Sequence, residues 1–259
     1  MSRLLAFDFD GTLVPEDKQL PAPTLAALQR LRLLGCRVAV ITGRDRLPPD
    51  VAQALRPDAQ ATNNGGTVSV NGQLHREAHF TPDELRAVLA VALPGTQLIA
   101  YGRERLYFDH PENEAIPAWM AGRALAPLQD AASDEIFKVG FYHPEVAQWA
   151  EHLRGSHPHL TLTGAQHPYP HFLTVTPQGA DKGAALVALA ETLSIPLAAT
   201  VAFGDSDNDV AMLELAGYAV QVGDLPLLAP HADAQVASPE ALGAWLEQFA
   251  QGLAATSRT

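Results

Sequence analysis

The stretch Leu4-Leu5-Ala6-Phe7-Asp8-Phe9-Asp10-Gly11-Thr12-Leu13 decides the fold. Its first four residues form an apolar run without polar alternation, which suits a strand of a parallel sheet covered on both faces. Downstream, Leu25, Leu28 and Leu31 recur at helical spacing before Gly35, a helix stop, and Val38 to Ile41 is a second apolar run. Strand, helix, strand is the unit that builds a doubly wound α/β sheet.

The same rhythm returns near the C-terminus. A helix from about Lys182 to Leu193 leads to a strand at Thr200 to Phe203, then to a helix through Met212 and Leu215 and a strand at Ala219 to Val222. A last helix carries Leu242, Trp245, Leu246 and Phe249, with Ser238 and Pro239 as N-cap and first position, and residues 254–259 read as a frayed tail. Between the two halves the pattern changes. Thr81-Pro82-Asp83-Glu84 is a capping box that opens a helix bearing Leu85, Val88, Leu89 and Ala92. Short strands follow at Gln97 to Tyr101 and Arg105 to Phe108, with a turn at Gly102, then a helix near Trp119 and a strand at Phe137 to Tyr142. A helix after Pro144 and strands at Leu160 to Thr163 and Phe172 to Thr176 complete the segment. Close strands joined by tight turns indicate a largely antiparallel sheet with helices on one side. The expected organisation is a core of residues 1–79 and 179–259 with an α+β domain inserted at 80–178.

The chain has 259 residues, 47% of them hydrophobic and 18% charged, which excludes disordered and fibrous classes. A net charge of −12 without any Lys/Arg run argues against nucleic acid and anionic membrane as partners. Cys36 is the only cysteine, so no intrachain disulfide forms. Carboxylates at Asp8 and Asp10 interrupt the apolar core a signal peptide needs, and no apolar stretch approaches the roughly 20 residues of a membrane span. A cytoplasmic location is expected; the oligomeric state is not legible.

Three apolar runs end in polar clusters. Phe7 leads into Asp8-Phe9-Asp10-Gly11-Thr12, Ile41 into Thr42-Gly43-Arg44, and Phe203 into Gly204-Asp205-Ser206-Asp207-Asn208-Asp209. Ligands of open parallel sheets bind beyond the carboxyl ends of the strands, so the three clusters are expected on one rim. Asp205, Asp207 and Asp209 alternate like the start of a calcium loop, but Val210 and Ala216 stand where that loop requires Gly and Glu, and the calcium reading fails.

In order and spacing these motifs, together with Lys182 in Gly179-Ala180-Asp181-Lys182-Gly183, resemble the haloacid dehalogenase superfamily of phosphotransferases. The resemblance is to its Cof-like, type IIB branch, which carries a large α/β cap after the third core strand, and it spans essentially the whole chain. It implies a Rossmann-like core and a Mg²⁺-dependent phosphatase that forms an aspartyl-phosphate on Asp8. It also implies metal ligation by the Asp8 and Asp205 side chains and the Asp10 backbone carbonyl, and sugar phosphates as the favoured substrates. Asp209 is placed behind the metal, oriented toward its water or toward Lys182.

The residues bear these roles physically. A phosphate monoester repels a carboxylate nucleophile unless a cation neutralises both. Asp10, two residues beyond Asp8, points to the same side of an extended chain and can serve as acid and then base; a turn at Asp10-Gly11 is the alternative. Thr42 and the backbone N–H of Gly43 can hold phosphate oxygens, or Thr42 can cap a helix starting at Gly43. Lys182 at a helix start faces an unfavourable macrodipole, so an anion should compensate it; the resemblance assigns it to the phosphoryl group and Asp8. Asn208 is assigned to the phosphate or the lysine, and Asp207 to a helix N-cap. Arg44 reads as a partner of Asp45, Asn63-Asn64-Gly65-Gly66 as a hairpin turn, and Arg103, Arg105, Arg123 and Lys138 as largely solvated charge. His157, His159, His167 and His171 raise zinc as a minor alternative. Rival functions are a phosphohexomutase with the same core chemistry and a non-catalytic phosphometabolite-binding regulator.

Overall fold

Residues 2–15, 19–90, 92–109, 120, 122–167 and 169–256 are described by the computed structural model. The chain runs through β1 (Leu4–Phe7), α1 (Ala22–Leu33), β2 (Arg37–Ile41), α2 (Pro49–Leu55), β3 (Ala59–Thr62), β4 (Thr67–Val70) and β5 (Gln73–Glu77). It continues through α3 (Pro82–Ala90), β6 (Gln97–Gly102), β7 (Arg105–Phe108), β8 (Ala124–Ala126), β9 (Ile136–Tyr142), α4 (Val146–Ser156), β10 (Thr161–Gly164) and β11 (Phe172–Thr176). It ends with α5 (Lys182–Thr192), β12 (Thr200–Gly204), α6 (Val210–Leu215), β13 (Tyr218–Val222), β14 (Ala234–Val236) and α7 (Pro239–Thr256). These elements form two compact units, Met1–Glu77 with Asp181–Thr259, and Ala78–Ala180.

The first unit is built on one sheet ordered β14-β13-β12-β1-β2-β3-β4-β5. Pairing is parallel from β14 to β3, and β4 and β5 add an antiparallel edge. Alternate side chains leave opposite faces, so each central strand feeds two cores. On one face Leu5, Phe7, Val40 and Phe203 pack with Leu28 and Leu31 of α1 and Leu242 and Leu246 of α7. On the other, Leu4, Ala6, Ile41 and Ala202 pack with Leu186 and Leu189 of α5 and Met212 of α6. Phe7 and Phe203 stack at 4.3 Å across the β1–β12 pair. This is the doubly wound arrangement, and it sends the ends of β1, β2 and β12 to the same sheet edge.

The second unit holds a sheet ordered β10-β11-β9-β6-β7-β8, antiparallel except for β7 with β8. Val139, Phe141, Leu173 and Val175 pack with Leu85 and Val88 of α3 and with Trp149 and Leu153 of α4. The Thr81 backbone N–H and hydroxyl both donate to Glu84, closing the start of α3. Two expectations change here. Gly102 ends β6, and the turn falls on Arg103-Glu104. Lys138 is buried with its ammonium 4.0 Å from the Tyr101 ring centre, and Arg103 pairs with Glu135 at 2.6 Å, so neither is simply solvated charge. The helix expected near Trp119 lies outside the described residues. Among the described residues no helix is long and apolar enough to cross a membrane.

Candidate functional site

β1 delivers Asp8 to the sheet edge, where its backbone N–H still donates to Phe203 at 2.9 Å. Beyond Phe9 the chain folds back: Val14 N–H donates to the Phe9 carbonyl at 3.0 Å and Gly11 N–H to the Val14 carbonyl at 2.8 Å. Gly11 has φ of +79°, and a Cβ there would stand 2.3 Å from Asp205 Oδ2, so glycine lets the loop after β12 approach. The Thr12 hydroxyl ties the two loops by donating to Asp205 Oδ1 at 2.6 Å. Sequence reasoning gave Thr12 no role; its place inside the Asp8 motif was the available signal.

Lys182 is the first residue of α5, whose N-cap Asp181 accepts from the Ala184 N–H at 2.7 Å. Its side chain is 1% exposed, and Nζ donates to Asp8 Oδ1 at 2.6 Å and Asp209 Oδ1 at 2.7 Å. These carboxylates are the anions that a cation at a helix start requires. Burial alone would lower the lysine's pKa, but Asp209 and Asp8 outweigh it and hold the ammonium above its usual range. Burial raises the Asp8 carboxyl well above its ordinary value; Lys182 opposes this, and Asp209 and Asp205 reinforce it. Asp205 is pushed up to about 6, by burial first and by Asp209 second.

Asp209 is fully committed. One oxygen takes Lys182, and the other accepts the backbone N–H groups of Asp205 and Ser206, both at 3.0 Å. Ser206 is the N-cap of this turn in a reciprocal capping box with Asp209, so the cap is Ser206 and not Asp207. Asp8, Asp205 and Asp209 present carboxylate oxygens within 4.8 Å of one another. Three carboxylates against one ammonium leave an excess of negative charge on hard oxygen donors, the donor set that suits a divalent ion such as Mg²⁺. With both Asp209 oxygens already occupied, Asp8 and Asp205 carry the free donor capacity. The Asp10 side chain does not join this group.

Thr42 is buried, and its hydroxyl accepts the Arg44 N–H at 3.1 Å. No helix starts at Gly43. α2 begins at Pro49, where Pro48-Pro49 presets the first turn, so no helix dipole acts at Thr42. An added Cβ on Gly43 would lie 3.6 Å from Asn208 Nδ2. The Ser206 hydroxyl donates to Asn208 Oδ1 at 2.9 Å, which leaves the amide nitrogen on the Gly43 side. The loops after β2 and β12 therefore meet at Thr42-Gly43 and Asn208. Arg44 reaches across to the first loop: its Nε and Nη2 donate to the two oxygens of Asp10, while Asp45 accepts from Arg46 at 3.3 Å.

Other singled-out residues lie elsewhere. His159 pairs with Glu84 at 3.4 Å and its ring centre is 6.1 Å from that of His157, in the second unit. His171 Nδ1 lies 3.3 Å from the Pro144 carbonyl. Among the described residues the only acidic, imidazole or thiol cluster with metal-holding spacing is Asp8, Asp205 and Asp209.

The family model of haloacid dehalogenase-like hydrolases matches residues 5–243. The chain is 32% identical over 238 residues to the HMP-PP phosphatase of Cronobacter sakazakii, covering 86% of this chain and 85% of that protein. It is 30% identical over 249 residues to the HMP-PP phosphatase of Escherichia fergusonii, covering 86% and 85%. Among solved structures, a subclass IIB sugar phosphatase superposes with a TM-score of 0.84 over 97% of this chain and 99% of that one, at 22% identity. A haloacid dehalogenase-like hydrolase from B. subtilis gives 0.83 over 95% and 99%, at 21% identity. These two share the fold.

Proposed function

The chain belongs to the haloacid dehalogenase-like hydrolases and is a phosphoric monoester hydrolase, and from that premise we propose that it cleaves a small phosphorylated metabolite, of the sugar phosphate class, through a phosphorylated Asp8. The observation that carries the reading is the buried Asp8–Lys182–Asp209 chain with Asp205 beside it. A non-catalytic binder has no need of a buried carboxylate opposed to a buried ammonium and two further carboxylates.

Mg²⁺, held by Asp8, Asp205 and the Asp10 carbonyl, would supply the positive charge that lets a carboxylate approach a phosphate anion. Asp8 attacks phosphorus as the bond to the leaving oxygen breaks, and Asp10 gives that oxygen its proton. Lys182, Thr42, the Gly43 N–H and the Asn208 amide hold the phosphoryl oxygens, the charge stabilisation that phosphoryl transfer chiefly needs. Asp209 keeps Lys182 in place. Water then attacks the phosphoryl group, Asp10 takes its proton, phosphate leaves and the Asp8 carboxylate is restored.

Apart from Asp10, which meets the leaving group only at its oxygen, every group named so far addresses the phosphoryl unit, so choice of the leaving group is assigned to the inserted unit Ala78–Ala180. The sugar phosphatase likeness supports a sugar phosphate, and the relatives named HMP-PP phosphatases favour HMP-PP as a second reading. Phosphate release from a panel containing both separates them. Asp8→Asn and Asp10→Asn should each abolish turnover of an aryl phosphate with an unchanged circular dichroism spectrum. Wild-type turnover in both variants would discard the mechanism.

A further inference from the structure

The turn Asn63-Asn64-Gly65 does more than join β3 to β4. Its three residues are successively left-handed, with φ of 53°, 57° and 93°, a conformation that asparagine tolerates and glycine adopts freely. Two backbone donors of the turn reach away from the hairpin. Asn63 N–H donates to the Arg44 carbonyl at 2.7 Å, and Asn64 N–H to the Thr42 carbonyl at 3.0 Å. On its other side the turn lies against the start of α5: a Cβ on Gly65 would be 2.2 Å from the Asp181 carbonyl oxygen and 3.1 Å from Ala185 Cβ. That same carbonyl accepts the Ala185 N–H, and Lys182 is the next residue along. Arg76 holds the turn from behind by donating to the Gly65 carbonyl at 3.0 Å.

We propose that Asn64 and Gly65 are positioning residues that set the spacing between the Thr42-Gly43-Arg44 loop and Lys182, and so shape the phosphoryl-binding site. The inference rests on the assignment of Thr42 and Lys182 to the phosphoryl group. The left-handed backbone at Asn64 aims the N–H at Thr42, and the missing side chain at Gly65 lets α5 begin where Lys182 reaches Asp8. Asn64 is 2% exposed, and the bond that reaches Thr42 comes from its backbone N–H.

The test uses the full-length Mg²⁺-loaded enzyme, with inorganic phosphate as a competitive probe beside kcat and KM. Asn64→Ala should weaken phosphate inhibition about tenfold, the scale of one displaced hydrogen bond. Asn64→Gly, which keeps the left-handed backbone, should recover most of that loss. Gly65→Ala should lower kcat on the order of 100-fold, as expected when a catalytic group is misplaced by about 1 Å. Should Gly65→Ala fail to fold, the Asn64 pair decides: wild-type phosphate inhibition in Asn64→Ala, or equal losses in Asn64→Ala and Asn64→Gly, overturns the proposal. Thr42→Val and Lys182→Met serve as references. If both keep wild-type phosphate inhibition, the phosphoryl-site assignment itself fails; if they lose it while the Asn64 and Gly65 variants do not, only the role of the turn is overturned.

Discussion

Arg44 grips both oxygens of Asp10, Nε to Oδ2 at 2.7 Å and Nη2 to Oδ1 at 2.6 Å, while its guanidinium lies 5.2 Å from the centre of the Phe9 ring. The two side chains are 46% and 41% exposed, so the pair contributes little to stability. Its effect is orientation: a planar fork fixes the plane of a carboxylate that would otherwise rotate.

We expect Arg44→Met to lower kcat/KM for an alkyl phosphate by roughly 10- to 100-fold, the range spanned by losing a well-oriented acid. The loss for 4-nitrophenyl phosphate should be smaller, because that leaving group departs without a proton. Arg44→Lys should not restore the alkyl substrate, since an ammonium cannot hold two oxygens in one plane. Equal losses on both substrates would place Arg44 in phosphate binding instead.

Asp205 is raised to about 6 by burial and by Asp209, so folding favours its neutral form in the metal-free protein. Stability from this group is full below about pH 4, its unfolded range, and is lost as pH rises through about 6. Metal-free Asp205→Asn should therefore melt above wild type at about pH 8, by the equivalent of about 3 kcal/mol, with the gap closing near about pH 4.5. Paired melting curves in chelator measure it. A gap independent of pH would assign the titration to another group.

The crowded carboxylates lead us to expect a site selective for a small divalent ion. Chelation should remove activity, Mg²⁺ should restore it, and Ca²⁺, with its larger and looser oxygen shell, should not. Mg²⁺ should raise the melting temperature most where Asp205 is ionised. Equal rates in Mg²⁺ and Ca²⁺ would contradict the tight oxygen site.

Much of the core was legible because its chemistry is local. The unalternating runs Leu4–Phe7 and Val38–Ile41 announce buried parallel strands, and a lysine at the first position of α5 announces its anions. β8 and β14, with three residues each, are too short to show a period. The sheet reverses direction from β3 to β4 through Asn63-Asn64-Gly65, a turn whose own pattern says nothing of the loop it reaches. Arg44 finds Asp10 because two loops meet at the sheet edge, a relation that spacing along the chain cannot express. Lys138 was misread because β9 is buried almost throughout, leaving no alternation to mark the strand's faces.

The most direct test of the whole account is to trap the phosphorylated enzyme. A substrate carrying a radiolabelled phosphoryl group is mixed with excess protein and Mg²⁺, quenched in acid within the first turnover, and the digest is sequenced by mass spectrometry. The expected result is an acid-stable, hydroxylamine-labile phosphoryl group on the peptide containing Asp8, absent from Asp8→Asn. Label on any other residue, or free phosphate appearing at the full single-turnover rate from Asp8→Asn, would contradict it.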